Sequence, residues 1–473
     1  MKVVFTIARN DFRNFLREKK IIISGLLFLL LVIVSIIGGY QQFDKQNKER
    51  KEAQEAVRKS WLNQGDKNPH SAAHYGTYAF RPVSVLSFFD VGLNSYVGNS
   101  IYLEAHRQNN PKFSVASESS SLIRFGELTI AFILQIIMPL LIFFIGFNVV
   151  TKEKEGNTLK VLFSQGITMK SIAWGKLLAI FGIVSMLILP VFALIFFLGL
   201  MNVGQGDKIL FLTSFSFLLL TYLVYLFILC SISVLISAIS KTSRSALLVL
   251  LGFWITTCII LPKVAANLGS SIHKAPSGFE FRQNIAKDEE NGIDGHNPSD
   301  KRFDRLRDSV LQKYNVKTVE ALPVNFDAIA MQEGERYSSM IYNKHFERLR
   351  QDYLIQNKIS QYASLVDPFI GVRNFSMSLA GSDIASAFSF QEQAESYRFE
   401  MVKYLNNYLR DFSVTGEWDK KASSSIYSNI PDFHFTPISM NVRLKDNALS
   451  IVSLFMWAII CAFGLSSLKN KVN

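Results

Sequence analysis

The chain has 473 residues, of which 49% are hydrophobic and 19% are charged, a balance too apolar for a soluble protein of this size. Its formal net charge of +12 is what a multispanning protein accumulates on its cytoplasmic side, and no zinc finger or aromatic–basic motif favours a nucleic-acid partner. The three cysteines lie within apolar runs, which excludes a disulfide framework in the polar regions.

Six apolar runs predict an α-helical membrane protein. Each is at least long enough to cross most of a hydrocarbon core of ~30 Å. The runs cover residues 21–40, 128–150, 177–200, 209–239, 246–262 and 448–468. The first run follows two lysines, but it lacks an A-x-A cleavage site and precedes five further spans, so it is an anchor rather than a signal peptide.

The short loops predict the orientation of these spans. Basic residues are frequent in residues 1–20 and 151–176, whereas the loop 201–208 contains a single basic residue, Lys208. Because lysine and arginine favour the cytoplasmic side, we expect both termini, including the tail 469–473, to lie in the cytoplasm.

The same orientation leaves two long loops, 41–127 and 263–447, outside the cytoplasm. They are too long for simple connections, and residues 41–62 are a charged, helix-forming continuation of the first span. Amphipathic helices are predicted in the second loop at 302–314, 331–359 and 394–412, with a few strands near 75–86 and 433–444. We therefore expect one mainly helical extracytoplasmic domain built from both loops.

The missing motifs indicate that this chain is not an enzyme and does not power transport by itself. The sequence contains no GxxxxGK[ST] phosphate loop, no HExxH and no GxSxG. The apolar runs contain almost no ionisable residues, whereas ion-coupled carriers and proton pumps need such groups at membrane depth. Any energy for transport would therefore come from a partner.

The segment between the second and third runs reads TKEKEGNTLKVLFSQGITMKSIAWGKLLA (151–179). A charged stretch at the membrane exit precedes a short amphipathic helix, a turn at Gly166 and a basic helix that leads into the third run. A short helix along the membrane face is well shaped to dock into a groove of another protein.

This segment resembles the coupling-helix region of ABC transporter permeases of the type-2 exporter class. The matching residues are Glu153, Glu155, Gly156, Thr158, Leu159, Leu162, Gly175 and Lys176. Residues 1–20 look like the interfacial elbow helix of that class. One departure is the turn Ser164-Gln165-Gly166, where many members have a proline.

Four external motifs narrow the resemblance, which then covers essentially the whole chain. They lie at 68–82, 88–109, 367–383 and 390–406. They look like a bacterial permease subgroup that carries a large external insertion of unassigned function and includes relatives of the permease from nitrous-oxide-reductase maturation.

The resemblance implies a six-span permease subunit of type-2 topology in a bacterial cytoplasmic (inner) membrane. Two such subunits, identical or paired with a similar permease, would bind two copies of an ABC ATPase that uses ATP and Mg²⁺; this chain itself would need no cofactor. Coupling to the ATPase is expected from Glu153, Glu155, Gly156, Thr158, Leu159, Leu162 and Lys170.

The sequence does not determine what this subunit does on the extracytoplasmic side. The cargo would be amphiphilic or lipid-linked, or the subunit would transmit force to an extracytoplasmic protein partner. The alternative is a membrane-anchored receptor or scaffold that binds its partner without an ATPase.

Three histidines and two interfacial residues are further candidates. His70 and His74 are four positions apart and, with His106, are the candidate ligands of a metal site; however, Gly76 and nearby turn residues argue against a helix there. Arg124 and Glu127, where the chain re-enters the membrane, are candidate gating residues that also resemble ordinary interfacial residues.

Aromatic and charged side chains elsewhere favour structural roles. Tyr222, Tyr225 and Trp254 would more commonly pack between spans than line a translocation surface. The cluster of Glu392, Glu395, Arg398 and Glu400 most simply forms ion pairs on a helix surface, although Glu395 and Arg398 match one of the subgroup motifs.

Overall fold

The computed structural model describes residues 2–112, 128–291 and 299–470. It is mainly helical, and six helices are long and apolar enough to cross a membrane: Lys19–Leu62, Ile130–Glu155, Met169–Asn202, Gln205–Ile239, Ser243–Ile272 and Ala448–Ser466. Each predicted run coincides with one of these helices, called the first to sixth spans below. The chain is therefore a multi-pass membrane protein.

Further helices and a small sheet complete the fold. The other helices are Lys2–Phe15, Pro69–Tyr75, Thr158–Ser164, Gly278–Asn291, Ser299–Tyr314, Phe326–Ala363, Pro368–Ala380, Ile384–Phe412 and Met440–Asp446. Strands β1 (Thr77–Phe80), β2 (Ser100–Glu104) and β3 (Arg107–Gln108) form one antiparallel sheet in the order β1-β2-β3. The strand expected near 433–444 is absent: this stretch is irregular and then enters Met440–Asp446, and Pro437 cannot donate to a ladder.

The two ends of the span bundle differ. At one end, the terminal face, the helix Lys2–Phe15 lies against the third span. There Trp174 donates to Ser466 Oγ at 3.2 Å, and the Met169 N–H donates to Asn470 Oδ1 at 2.7 Å. The opposite end is the domain face, where the first span continues without interruption to Leu62, as predicted for residues 41–62.

Segments from both long loops close the bundle at the domain face. The helix Pro368–Ala380 packs against the fourth and sixth spans, and most of its side chains are buried. From the first loop, the ring of Phe89 lies 5.6 Å from that of Phe192 and 5.2 Å from that of Tyr222. The apolar core of the spans thus continues into the loops.

A second core lies further from the bundle and joins both loops into one domain. Three residues from different segments are almost fully buried in it: Trp61 at the end of the first span, Leu103 of β2 and Tyr427 from the second loop. The helix Ile384–Phe412 packs against β2 and against Pro69–Tyr75. The predicted mainly helical assembly of the two loops is therefore present, with a small sheet inside it.

A π-helical turn in the second span provides hydrogen-bond acceptors for two of the aromatic residues noted in the sequence. The turn Ile133–Ile137 precedes Pro139, whose missing N–H leaves a carbonyl one turn earlier without its helical donor. That carbonyl, of Gln135, accepts from the Tyr225 hydroxyl at 3.1 Å. The next carbonyl accepts from the Trp254 indole at 3.0 Å. These two side chains thus serve helix packing.

Candidate functional site

The segment 151–170 between the second and third spans, here the linker segment, forms two short helices. Thr151–Glu155 completes the second span and is followed by Thr158–Ser164, with Asn157 between them in the left-handed conformation (φ 57°). Leu159 is buried against the bundle, whereas Val161 is 56% exposed. The second helix thus lies on the terminal face with one side free.

The linker segment forms hydrogen bonds with the carboxyl-terminal end of the fourth span and with the amino-terminal end of the fifth span. Ser237 Oγ accepts the backbone N–H groups of Val150, which precedes the segment, and of Thr151, at 3.0 and 3.3 Å. The ammonium of Lys154 donates to the carbonyl of Ser240 at 3.0 Å. The carboxylate of Glu155 accepts from the N–H and the hydroxyl of Ser243 at 2.7 and 2.9 Å, so it caps the amino terminus of the fifth span.

Gly175 and Lys176 fasten the third span to the same segment. The ammonium of Lys176 is only 5% exposed, lies 3.0 Å from the carboxylate of Asp11 and contacts that of Glu153. A Cβ at position 175 would lie 2.7 Å from the side chain of Ile7. Glycine here lets the helix Lys2–Phe15 approach the span, and the lysine then neutralises two acidic groups.

The expected coupling residues therefore fall into two sets. Glu153 and Glu155 bind Lys176 and Ser243 within the chain, and Leu159 and Leu162 pack inward. The residues that remain exposed on the linker segment include Gly156, Thr158 and Lys170, together with Lys160 and Val161. Sequence reasoning did not foresee the internal partners, because they lie 23 and 88 positions away.

The histidine region differs from the expectation, because residues 69–75 are helical. Asn68 caps the helix by accepting the His70 N–H at 2.8 Å, Pro69 opens its first turn, and Gly76 (φ 64°) ends it. Gly76 was interpreted as evidence against a helix; it is the residue after the last turn, where glycine is preferred. One face of this helix carries both His70 and His74.

The turn between β2 and β3 brings the third histidine to the same place. His106 has φ 64°, a conformation that is uncommon for residues other than glycine, although asparagine, aspartate and histidine adopt it more often than the rest. The N–H of Ala105 donates to the carbonyl of Ala73 at 3.1 Å, which ties the turn to the helix Pro69–Tyr75. The turn therefore has a defined position beside the two histidines.

The three imidazoles face one another. Nε2 of His70 lies 3.2 Å from Nε2 of His74 and 3.5 Å from Nε2 of His106. One ring nitrogen from each residue lies within 4.8 Å of the others. His74 is exposed and the other two are half-buried, so the cluster opens to solvent on one side.

Two neighbouring side chains orient the rings. Oδ1 of Asn406 lies 3.3 Å from Nδ1 of His70. Oε2 of Glu335 lies 3.3 Å from Nδ1 of His106 and accepts its backbone N–H at 2.8 Å. In both rings Nδ1 faces an oxygen acceptor, which leaves Nε2 directed at the centre of the cluster.

Glu335 is itself held in a buried ionic network. Its carboxylate is fully buried and pairs with Arg398, which also contacts Glu395 and Ser339 at 2.7 and 2.8 Å. Glu395 and Arg398 were expected on a helix surface; they are 7% and 2% exposed, so that interpretation is wrong. Burial raises the pKa of Glu335, but the hydrogen bond from His106 and the charge of Arg398 lower it to about 2.

Electrostatics also favour neutral imidazoles at His70 and His74. Burial is the main cause that lowers the pKa of His70, and the proximity of His74 and His106 lowers it further. Burial and His106 lower the pKa of His74 as well. Neutral nitrogens with free lone pairs are the form in which histidine binds metals.

Two further predicted site residues, Arg124 and Glu127, lie outside the described residues.

A polar chain that the sequence did not indicate joins the second and fourth spans to both long loops. Gln135 donates to Tyr222 at 2.7 Å. The Tyr222 hydroxyl lies 3.1 Å from that of Ser376, which donates to Asp90 at 2.5 Å.

In comparisons with known proteins, a family model matches part of the chain. Residues 278–436 match a family described as a domain of unknown function (DUF3526), which covers much of the loop between the fifth and sixth spans. A search of curated proteins finds none that matches this sequence.

Proposed function

We propose that this chain is the permease subunit of a bacterial ABC transporter in the cytoplasmic membrane. In this proposal the terminal face lies in the cytoplasm, as the basic residues around it favour, and the domain lies outside. A separate ATPase that binds ATP and Mg²⁺ supplies the energy. The six spans then have the topology of a type-2 exporter.

The observation that carries the proposal is the linker segment. It bonds directly to the ends of the fourth and fifth spans and, through Glu153 and Lys176, to the third span and the helix Lys2–Phe15. The helix Thr158–Ser164 of this segment has one exposed side. A partner that pushed on that side would therefore move several spans together rather than bend a free loop.

The domain face supports transmission of that movement. The polar chain from Gln135 to Asp90 connects the second and fourth spans with both loops, and the first span enters the domain as one helix. The subunit therefore either exports or extracts an amphiphilic or lipid-linked cargo, or transmits force to an extracytoplasmic protein.

A second permease subunit completes the proposed assembly. The fifth span is the least buried of the six, and its exposed apolar residues include Leu248, Val249 and Ile260. This apolar face is available to a second subunit within the membrane.

Co-purification with an exposed-face variant tests the proposal. The full chain would be expressed in its native host with an affinity tag, solubilised mildly, and analysed for a co-purifying protein with a GxxxxGK[ST] motif and for ATP hydrolysis. Val161→Asp adds a charge to the free side of Thr158–Ser164 and should abolish recovery of the ATPase. Val414→Asp, at a residue 60% exposed in the domain, is the matched control and should recover it fully.

The outcomes separate the proposal from its alternative. A wild-type chain that never recovers an ATPase would favour a receptor or scaffold. Equal recovery of the ATPase by Val161→Asp and wild type would show that an ATPase binds elsewhere and would overturn the role of the linker segment.

A further inference from the structure

We propose that His70, His74 and His106 form a binding site for a divalent first-row transition metal such as Zn²⁺, with an open position toward solvent. The proposal does not depend on an ATPase or on the direction of transport. It rests on the geometry of three residues that two separate elements bring together.

The spacing of the ring nitrogens fits a single metal ion. Two nitrogens bound at ~2.0–2.1 Å to one tetrahedral ion lie about 3.3–3.4 Å apart. The Nε2 atoms of His70 and His74 are 3.2 Å apart, and those of His70 and His106 are 3.5 Å apart. An ion equidistant from all three would need only small ring rotations to reach normal bond lengths.

The hydrogen-bonding state of the rings also favours a metal ion. Asn406 donates its amide N–H to Gln332 at 3.0 Å, so its oxygen faces Nδ1 of His70, and this nitrogen carries the proton. Nδ1 of His106 faces Glu335 in the same way, so Nε2 of His70 and Nε2 of His106 both present lone pairs, 3.5 Å apart. The single Nε2–H that His74 could offer cannot satisfy both of them, whereas a metal ion at the centre accepts all three lone pairs.

Two of the rings have oxygen partners on the side away from the cluster centre. Metal-binding histidines typically donate their second ring nitrogen to a carboxylate or carbonyl oxygen, which fixes the ring. Glu335 supplies a carboxylate to His106, and Asn406 supplies an amide oxygen to His70. Both partners are buried and bonded to further residues, so these two rings are held in place before a ligand arrives.

The backbone of His106 also supports the site. A left-handed conformation is unfavourable for most residues with a side chain, and residues held in it concentrate at functional sites. Glu335 stabilises this conformation by accepting the backbone N–H of His106. The hairpin turn thus holds His106 in a left-handed conformation with its ring beside the other two histidines.

The donor set also indicates the class of metal. Three imidazoles suit Zn²⁺, Cu²⁺, Ni²⁺ and Co²⁺, whereas Ca²⁺ and Mg²⁺ prefer oxygen ligands. Three protein ligands leave at least one coordination position, and the exposed side of His74 lets water or a partner's group occupy it.

Metal titration of the full chain tests the site. The protein would carry a tag without histidines, be stripped with a chelator in detergent, and be dialysed against buffered Zn²⁺, with bound metal measured by mass spectrometry. We expect one tightly bound Zn²⁺ per chain. Co²⁺ should give the intense visible bands of tetrahedral coordination.

Two ligand variants and one control sharpen the test. His74→Ala removes an exposed ligand, and His106→Asn removes a ligand while keeping a residue that tolerates the left-handed backbone. Each should weaken Zn²⁺ binding by more than the ~10–100-fold typical of losing an outer-shell partner. His434→Ala removes an exposed histidine from another part of the domain and should leave binding unchanged.

Wild-type protein that binds Zn²⁺ and Co²⁺ no more tightly than His74→Ala would overturn the proposal. So would an equal loss of affinity in His434→Ala, because that would indicate general adsorption by surface histidines. The unfolding midpoint of each metal-free variant, compared with that of metal-free wild type, separates loss of a ligand from loss of the fold.

Discussion

One oxygen of Glu335 accepts the backbone N–H of His106 at 2.8 Å and also lies 3.3 Å from the Nδ1 atom of the same residue. A single buried carboxylate therefore orients both the backbone and the ring of this histidine. The same carboxylate pairs with Arg398 on its other oxygen, so the histidine cluster and the ionic network of the domain core depend on each other.

Removing the cation of this network should destabilise the domain strongly. In Arg398→Met, the buried carboxylates of Glu335 and Glu395 lose their partner, and we expect a loss of about 3–5 kcal/mol in the free energy of unfolding. Denaturant titration followed by tryptophan fluorescence would measure it. Lys403→Met breaks the exposed pair with Glu400 and should change stability by no more than about 0.5 kcal/mol; equal effects of the two variants would contradict the assignment.

The ionised state of Glu335 also predicts a pH dependence. Its pKa is lowered from the ordinary 4.5 to about 2, so the ionised group stabilises the fold above pH 4.5. This contribution is lost as the pH falls from 4.5 through 2. The stability difference between wild type and Glu335→Gln should shrink as the pH falls below 4.5 toward 2. A difference that disappears already at pH 6 would point to another group.

Gly76 should be far less replaceable than Gly65. Both have positive φ, so alanine is strained at either position, and Gly76, with ψ −177°, lies in a region that is essentially restricted to glycine. A Cβ at position 76 would also lie 2.5 Å from the Leu103 carbonyl oxygen, whereas position 65 is open. We expect Gly76→Ala to lose about 1–3 kcal/mol more than Gly65→Ala, measured by chemical denaturation. Similar losses would mean that the helix Pro69–Tyr75 is not packed on β2.

The ion network at the terminal face should behave as a unit. Lys176→Met leaves the carboxylates of Asp11 and Glu153 without their cation. We expect a loss on the order of 2–3 kcal/mol, since both carboxylates are partly exposed and water compensates some of the cost. The triple variant Asp11→Asn, Glu153→Gln, Lys176→Met should recover most of this stability. Additive losses would show that the three groups do not interact.

The spans were predictable because their signal is local. About 20 consecutive apolar residues are sufficient to indicate a span, and the charged continuation at 41–62 kept its helix-forming composition. The helix Pro69–Tyr75 was missed although its start signals, Asn68 and Pro69, were present. Gly76 was given more weight as a helix breaker than as the residue that follows a helix.

The histidine cluster required information that spacing along the chain does not contain. His106 reaches the other two only because β2 pairs with β1 and then turns. Likewise, the interval between Glu395 and Arg398 shows that they share a helix face but not whether that face is buried. Glu335, whose carboxylate binds Arg398, lies 63 positions away.

The uninterrupted helix of the first span has a mechanical consequence. Residues 41–62 extend about 33 Å beyond the predicted span at 1.5 Å per residue, and Trp61 near the tip is anchored by donating to the Tyr427 carbonyl at 3.3 Å. Trp61 shares its core with Ala72 and Ala73 of the histidine-bearing helix. A 10° rotation of this rigid lever arm about the membrane surface would sweep its tip by ~6 Å. A small tilt inside the bilayer would thus be amplified where the three imidazoles lie.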